Sequence, residues 1–428
     1  MKKPDDPSRA GLRRDRNFLW LAGGAAISML GDQFTLIALP WLVLKMTGDT
    51  LVLGTVLALV GVPRALFILV GGAMVDRYSP KAVMMITKYV NAVLLAALAA
   101  MVFTGTLSLP VIYALSLAIG LATAFSIPSG TAMLPQVVRP DQLHAANSIM
   151  LGLRQLSFFL GPLVAGVLIA LFGDGSQGTG VHASGIGAAF AFDAFSFLLS
   201  AWTLSKVVTR PQPVAPGPRP AVFASIAQGL RHFWRDVELR TCFLYWSLVA
   251  LLILGPVHIA MPVLASSQPG LGAAAFGLII GSHGAGTLVG MVLAGVLPRL
   301  RLGSLGITIL AVDVVVGLLF MPMGWIAAAW QGMALMLVIG VLGGFMHVAV
   351  FTWIQRRVPP ALLGRAMSLF MFIFMGLIPL SSAVTGWVMR SVSLQQLFVA
   401  CGGILVALAL AALALPSMRA VRDPAPAA

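Results

Sequence analysis

Two ionisable residues lie inside apolar stretches of this chain that are long enough to cross a lipid bilayer. Asp32 belongs to the triplet Gly31-Asp32-Gln33, and Arg64 follows Pro63 in the next stretch. A charge at bilayer depth costs about 2.5 to 3.5 kcal/mol on insertion scales, so each should face protein or a water-filled cavity. At 1.5 Å per helical residue, Asp32 lies about 21 Å and Arg64 about 15 Å from the same membrane face. An arginine side chain can bridge this difference in depth. Two interpretations stay open: a structural ion pair, or a proton site at Asp32 whose occupancy competes with that pair.

Further polar and polarisable residues inside the apolar stretches are candidates for the lining of a cavity. A face of methionine and phenylalanine in the eleventh stretch would suit a pliable, apolar binding surface, although such a face usually serves packing. The candidates are Gln33, His258, His283, Met371 and Met375. Each histidine, taken alone, is more often packed than functional. Asp193, placed near the outer end of the sixth stretch, is expected to be hydrated or capped, and Asp313 in the ninth must find a partner.

A short segment with three charged residues separates the second and third apolar stretches. It reads Gly72-Ala-Met-Val-Asp76-Arg77-Tyr-Ser-Pro-Lys81. One apolar run ends at about Met74 and the next begins at about Ala82, and so short a segment forces two spanning helices into an antiparallel hairpin. We therefore predict a membrane-surface loop that carries these charges at its turn.

The fifth stretch contains Gly161-Pro162-Leu-Val-Ala165-Gly166, where small residues let helices approach closely and the proline bends the helix.

The chain has no glycine-rich nucleotide-binding loop and no His-Glu-x-x-His motif. Cys242 and Cys401 show no metal-ligand spacing. We therefore expect no enzyme activity, no metal and no cofactor.

The elements that position these residues follow from the composition. Hydrophobic residues occupy 59% of 428 positions and charged residues 9%, far below the roughly 25% charged residues of soluble domains. Polar or Pro/Gly punctuation divides the chain into twelve apolar runs, each near the roughly 20 residues that a spanning helix needs. The sequence thus predicts an all-α membrane protein with twelve transmembrane helices.

The positions of the lysines and arginines decide how the formal net charge of +14 is interpreted. Lysines and arginines precede the first run and then fall on alternate loops, while only Lys45 and Arg390 flank the opposite side. By the positive-inside rule both termini are cytoplasmic, as an even number of spans requires. We expect a multi-pass protein of a cell membrane, in the first place the bacterial inner membrane, that attracts anionic lipid and binds no nucleic acid.

The runs fall into two halves. We predict a cytoplasmic tail over 1–16, a six-helix bundle over 17–207, a cytoplasmic linker over 208–240, a second bundle over 241–416 and a cytoplasmic tail over 417–428. The linker opens with a proline-rich segment and continues as an amphipathic helix between Phe223 and Val237. Segments 136–148 and 355–368 share Gln, Pro, Leu and Ser in order, which indicates an internal duplication.

The charged loop, with Gly72 before Asp76-Arg77 and Lys81 beyond, resembles the loop signature of the major facilitator superfamily of transporters. The Gly161-Pro162 run resembles a signature of exporters in that family that exchange substrate for protons. Three phrases are similar to its macrolide-efflux and enterobactin-exporter branch: Gly31-Asp32 with 38–44, Asp76-Arg77, and 228–236. The resemblance implies two pseudo-symmetric six-helix bundles. It also implies a conformational latch in which Asp76 meets the amino end of the eleventh helix near Arg365.

The function so implied is secondary active transport, as proton-coupled export of a small amphipathic, drug- or siderophore-like compound by alternating access. The expected partners are that compound, protons and membrane lipid, and the expected assembly is a monomer. Two alternatives stay open, namely a facilitator or importer of the same fold without proton coupling, and a non-transporting membrane sensor.

Overall fold

The structure is a computed structural model that describes residues 11–12, 14–77, 79–173, 184–210, 234–297 and 300–422. The side chains of 68–77 lie outside this description. So do most of the predicted amphipathic helix of the linker and the outer ends of both predicted tails.

Within the described ranges, twelve helices are long and apolar enough to cross a membrane, which confirms the predicted all-α fold class. They are α1 (Arg16–Thr47), α2 (Thr50–Arg77), α3 (Pro80–Thr104), α4 (Leu109–Val137), α5 (Leu143–Phe172), α6 (Ser184–Lys206), α7 (Val237–Ser267), α8 (Ala273–Val296), α9 (Leu305–Phe320), α10 (Ala329–Arg357), α11 (Pro360–Met371, Phe372–Gly376 and Ile378–Val388) and α12 (Leu394–Leu413).

The helices divide between two compact units. The first unit comprises Met1–Lys45 and Val62–Pro218, and the second comprises Met46–Gly61 and Arg219–Ala428. The start of α2 therefore packs with the second unit. There the Thr50 hydroxyl donates a hydrogen bond to the carbonyl oxygen of Gly386 over 2.9 Å, and Arg390 pairs with Asp49.

The segment between α2 and α3 is shorter than the predicted loop. The α2 helix continues to Arg77, and α3 begins at Pro80, where a proline suits the first helical position because that amide needs no partner inside the helix. Gly72 and Asp76 consequently lie in helix and not in a loop. The antiparallel hairpin of the two helices stays a prediction.

In the second unit, α8 and α10 come into backbone contact through glycines. A Cβ added at Gly286 would collide with the backbone of α10 at residue 337, and one at Gly340 with the backbone of α8 at residue 283. Gly290 and Gly344 repeat this contact one turn farther along each helix. Lipid tails are as apolar as the helix surfaces, so the hydrophobic effect does not drive helices together inside a membrane. Close backbone packing of this kind is therefore a main source of helix-helix attraction there.

The α7 helix contains a π-helical segment, Ala250–Leu254, directly before Gly255-Pro256. The Gly255 amide donates to the hydroxyl oxygen of Ser381 of α11 over 2.9 Å, and that hydroxyl donates to the Leu251 carbonyl oxygen. An α-helix would bond the Gly255 amide directly to the Leu251 carbonyl. The serine hydroxyl is therefore inserted into the hydrogen-bond ladder of α7, which accounts for the wide turn.

The beginning of α7 is fixed by an ion-pair group at the membrane surface. Asp236 caps the helix by accepting from the amides of Glu238 and Leu239, each over 3.1 Å. Arg357 at the end of α10 pairs with Asp236 over 3.0 Å and with Glu238 over 2.9 Å. Partial burial raises the pKa of Asp236, but the hydrogen bonds from Arg357 and the two amides outweigh burial, so its pKa lies below the ordinary value.

Candidate functional site

The polar centre of the first unit is built where α1 and α6 come into close contact. Gly31 of α1 faces Asp193 and Ser196 of α6, and a Cβ at position 31 would collide with both side chains. Two turns earlier, the Ser200 hydroxyl donates to the carbonyl oxygen of Gly24 over 2.6 Å. Because the two glycines are seven residues apart, they lie on one face of α1 and allow the backbones to approach.

Asp193 is a buried acid in this contact. It is 1% exposed and lies near the middle of α6. Its carboxylate accepts hydrogen bonds from the hydroxyl of Thr35 and, over 3.2 Å, from that of Ser196. The expectation of a hydrated or end-capped position is wrong, because α1 covers this side of α6 and supplies one of the two hydrogen-bond donors.

Lys88 of α3 provides a buried cation beside these acids. It is 4% exposed, its Nζ donates to Oγ of Ser28 over 3.2 Å, and it lies 5.6 Å from the ring centroid of Phe197. Asp32 and Asp193 are both close enough to attract it electrostatically. Lys88 thus has one hydroxyl partner, an aromatic face and two acids at longer range to offset the cost of its burial.

Lys88 is absent from the site residues predicted from the sequence, although a signal for it exists. It stands inside the third apolar run, next to Thr87 and three residues before Asn91, and both neighbours are buried. An intramembrane lysine on a helix with further buried polar residues is a functional-site hypothesis by the same rule that singles out Asp32.

Asp32 presents its side chain to accessible space, whereas Gly31 and Gln33 on either side are buried. Arg64 is half-buried and is an electrostatic neighbour of Asp32. Among the described residues, no nitrogen-oxygen distance within 4.0 Å joins Asp32 to Arg64 or to Lys88. No direct ion pair with a described residue is thus present at Asp32, and the two interpretations of this residue stay predictions.

Two acids and two cations thus make up what we call the charge cluster: Asp32, Arg64, Lys88 and Asp193. With all four groups ionised their charges cancel. Asp193 and Lys88 form its buried side, and Asp32 is its accessible member. An accessible acid at this depth, with cations in range, can exchange a proton with water more readily than a buried one.

The α5 helix has two exposed faces of opposite character. One is apolar and carries Leu156, Val164 and Leu171; the other carries Asn147, Leu151, Arg154 and Phe158. A surface against lipid is apolar, so the face with an arginine and an asparagine borders water. Arg154, which is also absent from the predicted site residues, lies about 16 Å along the helix from its first residue.

Gln33, predicted to line a cavity, is 7% exposed instead. It packs across Gly161 of α5, where a Cβ would collide with its side chain, so the absence of a side chain at 161 makes the room that Gln33 fills. Pro162 and Gly166, which complete the predicted packing run, are buried on the same helix.

Lys81, predicted as part of the latch, holds the end of α6. Its Nζ donates to the carbonyl oxygens of Val207 over 2.6 Å and Ser205 over 3.2 Å, which satisfies groups that the helix end leaves unpaired. The other latch residues are Gly72, Asp76 and Arg77, whose side chains lie outside the described residues, and Arg365, which is half-buried in α11 of the second unit. The latch stays a prediction.

In the second unit the predicted lining residues differ in exposure. His258 and His283 are half-buried, whereas Met371 and Met375 are exposed. Asp313 of α9 has the partner that its depth demands, because the Tyr245 hydroxyl donates to its Oδ2 over 2.6 Å.

Comparison with known proteins agrees with this architecture. The family model of the Major Facilitator Superfamily matches residues 21–381. The chain is 24% identical over 404 residues to the uncharacterized MFS-type transporter y4rN of Sinorhizobium fredii, covering 92% of this chain and 93% of y4rN. It is 25% identical over 331 residues to the enterobactin exporter EntS of Salmonella typhimurium, covering 77% and 75% of the two chains.

A solved structure with the same fold is that of the nucleoside transporter NupG. It superposes with a TM-score of 0.72 at 14% identity, covering 93% of this chain and 98% of NupG. This likeness, together with the family match, confirms the predicted twelve-helix transporter fold.

Proposed function

The chain belongs to the Major Facilitator Superfamily of membrane transporters, and from this premise we propose that it exports a small amphipathic compound in exchange for protons by alternating access. The observation that carries proton coupling is the accessible acid Asp32 beside the cations of the charge cluster. A relative named as an enterobactin exporter supports export as the direction and a siderophore- or drug-like cargo.

Proton binding changes the electrostatics of the charge cluster. Ionised Asp32 attracts Lys88 and Arg64. Once Asp32 is protonated, Asp193 is the remaining counter-charge for Lys88. The cluster then carries a net charge of one positive unit, and the forces between α1, α2 and α3 change with it. A site that alternates between two electrostatic states can favour two conformations in turn, which is what coupling requires.

The polar face of α5 suits the proposed cargo. Arg154 offers a cation and hydrogen-bond donors, and the exposed side chains of Leu151 and Phe158 on the same face offer apolar surface. A molecule with an anionic or hydrogen-bond-accepting group beside an apolar body would satisfy both. Such a surface gives a physical reason for an amphipathic substrate.

The test is transport of a fluorescent amphipathic dye into or out of liposomes that contain the purified chain. With an imposed pH gradient, we expect Asp32→Asn to lose gradient-driven transport but to keep counterflow in the absence of a gradient. Asp141→Asn removes the same charge at an exposed ion pair with Arg139 and should behave as the unmodified protein.

Transport by the unmodified protein that ignores the pH gradient would refute proton coupling and favour a facilitator or importer of the same fold. No transport and no counterflow of any compound that stabilises the folded chain would favour a membrane sensor. These outcomes separate the three hypotheses.

We further propose that the transporter resides as a monomer in a bacterial inner membrane with both termini in the cytoplasm. The cations Lys81, Arg139 and Lys206, which lie at the same end of the first unit's helices, support this orientation. Labelling of single cysteines at the two ends of α1, in intact cells and with an impermeant reagent, tests it.

A further inference from the structure

A cavity of about 440 Å³ opens on the first unit where α1 begins and α6 ends. Its lining residues come from these two helix ends and from the segment that follows α6. They are Arg16, Asn17, Trp20, Lys206, Val208 and Arg210. Three of the six are cations, all exposed, and none is an acid.

The nearest acid in sequence is engaged elsewhere. Oδ1 of Asp15 accepts from the amides of Asn17 over 2.9 Å and Phe18 over 3.3 Å, so it caps the start of α1. The positive charge of the cavity therefore comes from three side chains that converge on it, and it calls for an anion from outside the protein.

The wall of the cavity is held by hydrogen bonds to three helices. Asn17 of α1 and Val208 exchange two bonds, of 2.6 and 2.7 Å, between the amide side chain and the backbone. The Arg210 amide donates to the Gln136 carbonyl of α4 over 2.9 Å, and Lys81 of α3 binds the Val207 carbonyl. The segment that carries Arg210 is consequently fixed before any ligand arrives.

Two tryptophans lie beside the cations. Trp20, in the lining, meets Trp202 edge-to-face with centroids 5.4 Å apart, and Nζ of Lys206 lies 5.9 Å from the Trp202 ring centroid. Both rings are exposed. Exposed tryptophans next to lysine and arginine at the end of spanning helices mark the headgroup level of a bilayer.

We propose that this cavity binds the phosphodiester headgroup of an anionic phospholipid. The three cations contact the phosphate oxygens, and the tryptophan pair packs against the glycerol and upper acyl region, which a free phosphate ion lacks. With the termini in the cytoplasm the lipid belongs to the inner leaflet, where anionic lipids attract basic segments. The site is independent of proton coupling, because lipid binding can be measured without transport.

The experiment measures binding of phosphatidylglycerol to the full-length chain in detergent by native mass spectrometry. Phosphatidylcholine and inorganic phosphate serve as the comparison ligands. The test variant is Arg16→Gln/Lys206→Gln/Arg210→Gln. The matched control, Arg356→Gln/Arg419→Gln/Arg422→Gln, removes the same charge from exposed positions of the second unit.

Each cation near an anionic headgroup contributes about a five-fold factor in affinity, so the test variant should bind phosphatidylglycerol about 100-fold more weakly. The control should change binding by less than about three-fold. If the triple variant does not fold, Lys206→Gln/Arg210→Gln, checked by size-exclusion chromatography, should weaken binding about 25-fold.

Equal losses in the test and control variants would overturn the proposal, because binding would then follow net charge alone. So would equal affinity for phosphatidylcholine, or inorganic phosphate that binds as tightly as phosphatidylglycerol and displaces it. The last result would reassign the cavity to a free anion.

Discussion

Replacing Lys88 with methionine removes the buried cation of the charge cluster while nearly keeping the length of the side chain. The substitution removes both the hydrogen bond to Ser28 and the cation-π contact with the Phe197 ring. Asp193 keeps its hydroxyl donors, but the acids lose their buried counter-charge. Arg64, half-buried on α2, is left as the remaining cation of the cluster.

The expected loss of unfolding free energy is about 3 to 5 kcal/mol, the range for removing one partner from a buried charge group. The hydrogen bond to Ser28 is part of this figure. For a unit of about 200 residues, each kcal/mol lowers the melting temperature by about 2 to 4 °C, so we expect a decrease of about 6 to 20 °C.

Thermal unfolding in detergent, followed by intrinsic tryptophan fluorescence, measures this shift. Lys88→Met combined with Asp193→Asn should unfold at a higher temperature than Lys88→Met alone, because the second change removes the uncompensated buried acid. Lys206→Met removes an exposed lysine that also lies over a tryptophan, and should change stability by at most about 1 kcal/mol. A Lys88→Met protein as stable as Lys206→Met, or a double variant showing simple additive loss, would refute the electrostatic account.

Three further predictions concern other parts of the molecule. Because the pKa of Asp236 is lowered in the folded chain, its ion pair stabilises the protein at pH values above the ordinary aspartate pKa of about 3.9. Melting temperatures of the unmodified protein and Asp236→Asn should therefore differ by a constant amount from pH 5 to 8 and converge as pH falls through the lowered pKa. Gly255→Ala should destabilise the protein by about 1 to 3 kcal/mol in a thermal melt, since the added Cβ collides with Ser381, whereas Gly295→Ala, with open space around it, should be neutral or slightly stabilising. Arg154→Gln should raise the KM for an anionic dye about 10-fold, equivalent to a charge-assisted hydrogen bond of about 1.5 kcal/mol, and leave the KM for a neutral dye unchanged in the liposome assay; equal effects on both dyes would contradict a direct contact.

The twelve spans could be predicted because a bilayer sets the length of an apolar helix, and that constraint is visible in one dimension. Their ends could not be fixed to the residue: α2 runs on through the charged Arg77. Charged residues at the end of an apolar run can still belong to the helix. Composition therefore locates the end of a helix only to within several residues.

The charge cluster was predictable only in part, because the sequence gives the depth of a residue in the membrane but not its neighbours. Counting residues gives the depth of Asp32 and Arg64, but it gives neither the direction in which a side chain points nor the neighbouring helix. Gly31 turns toward α6 and Gln33 toward α5, which leaves Asp32 on the accessible side. The direction in which each residue points around the helix axis is set by packing between helices that are distant in sequence. The burial of Asp193 under α1 has the same origin.

The place of Ser381 within α7 has a mechanical consequence. If its oxygen withdrew, the freed donor and acceptor, four residues apart, could join each other, and the wide turn would tighten into a regular one. The portion of α7 beyond Gly255 would then advance by about 1.5 Å and swivel by about 100°, the step of one helical residue. A sideways shift of α11 no longer than a hydrogen bond would in this way be converted into rotation of the segment that carries His258.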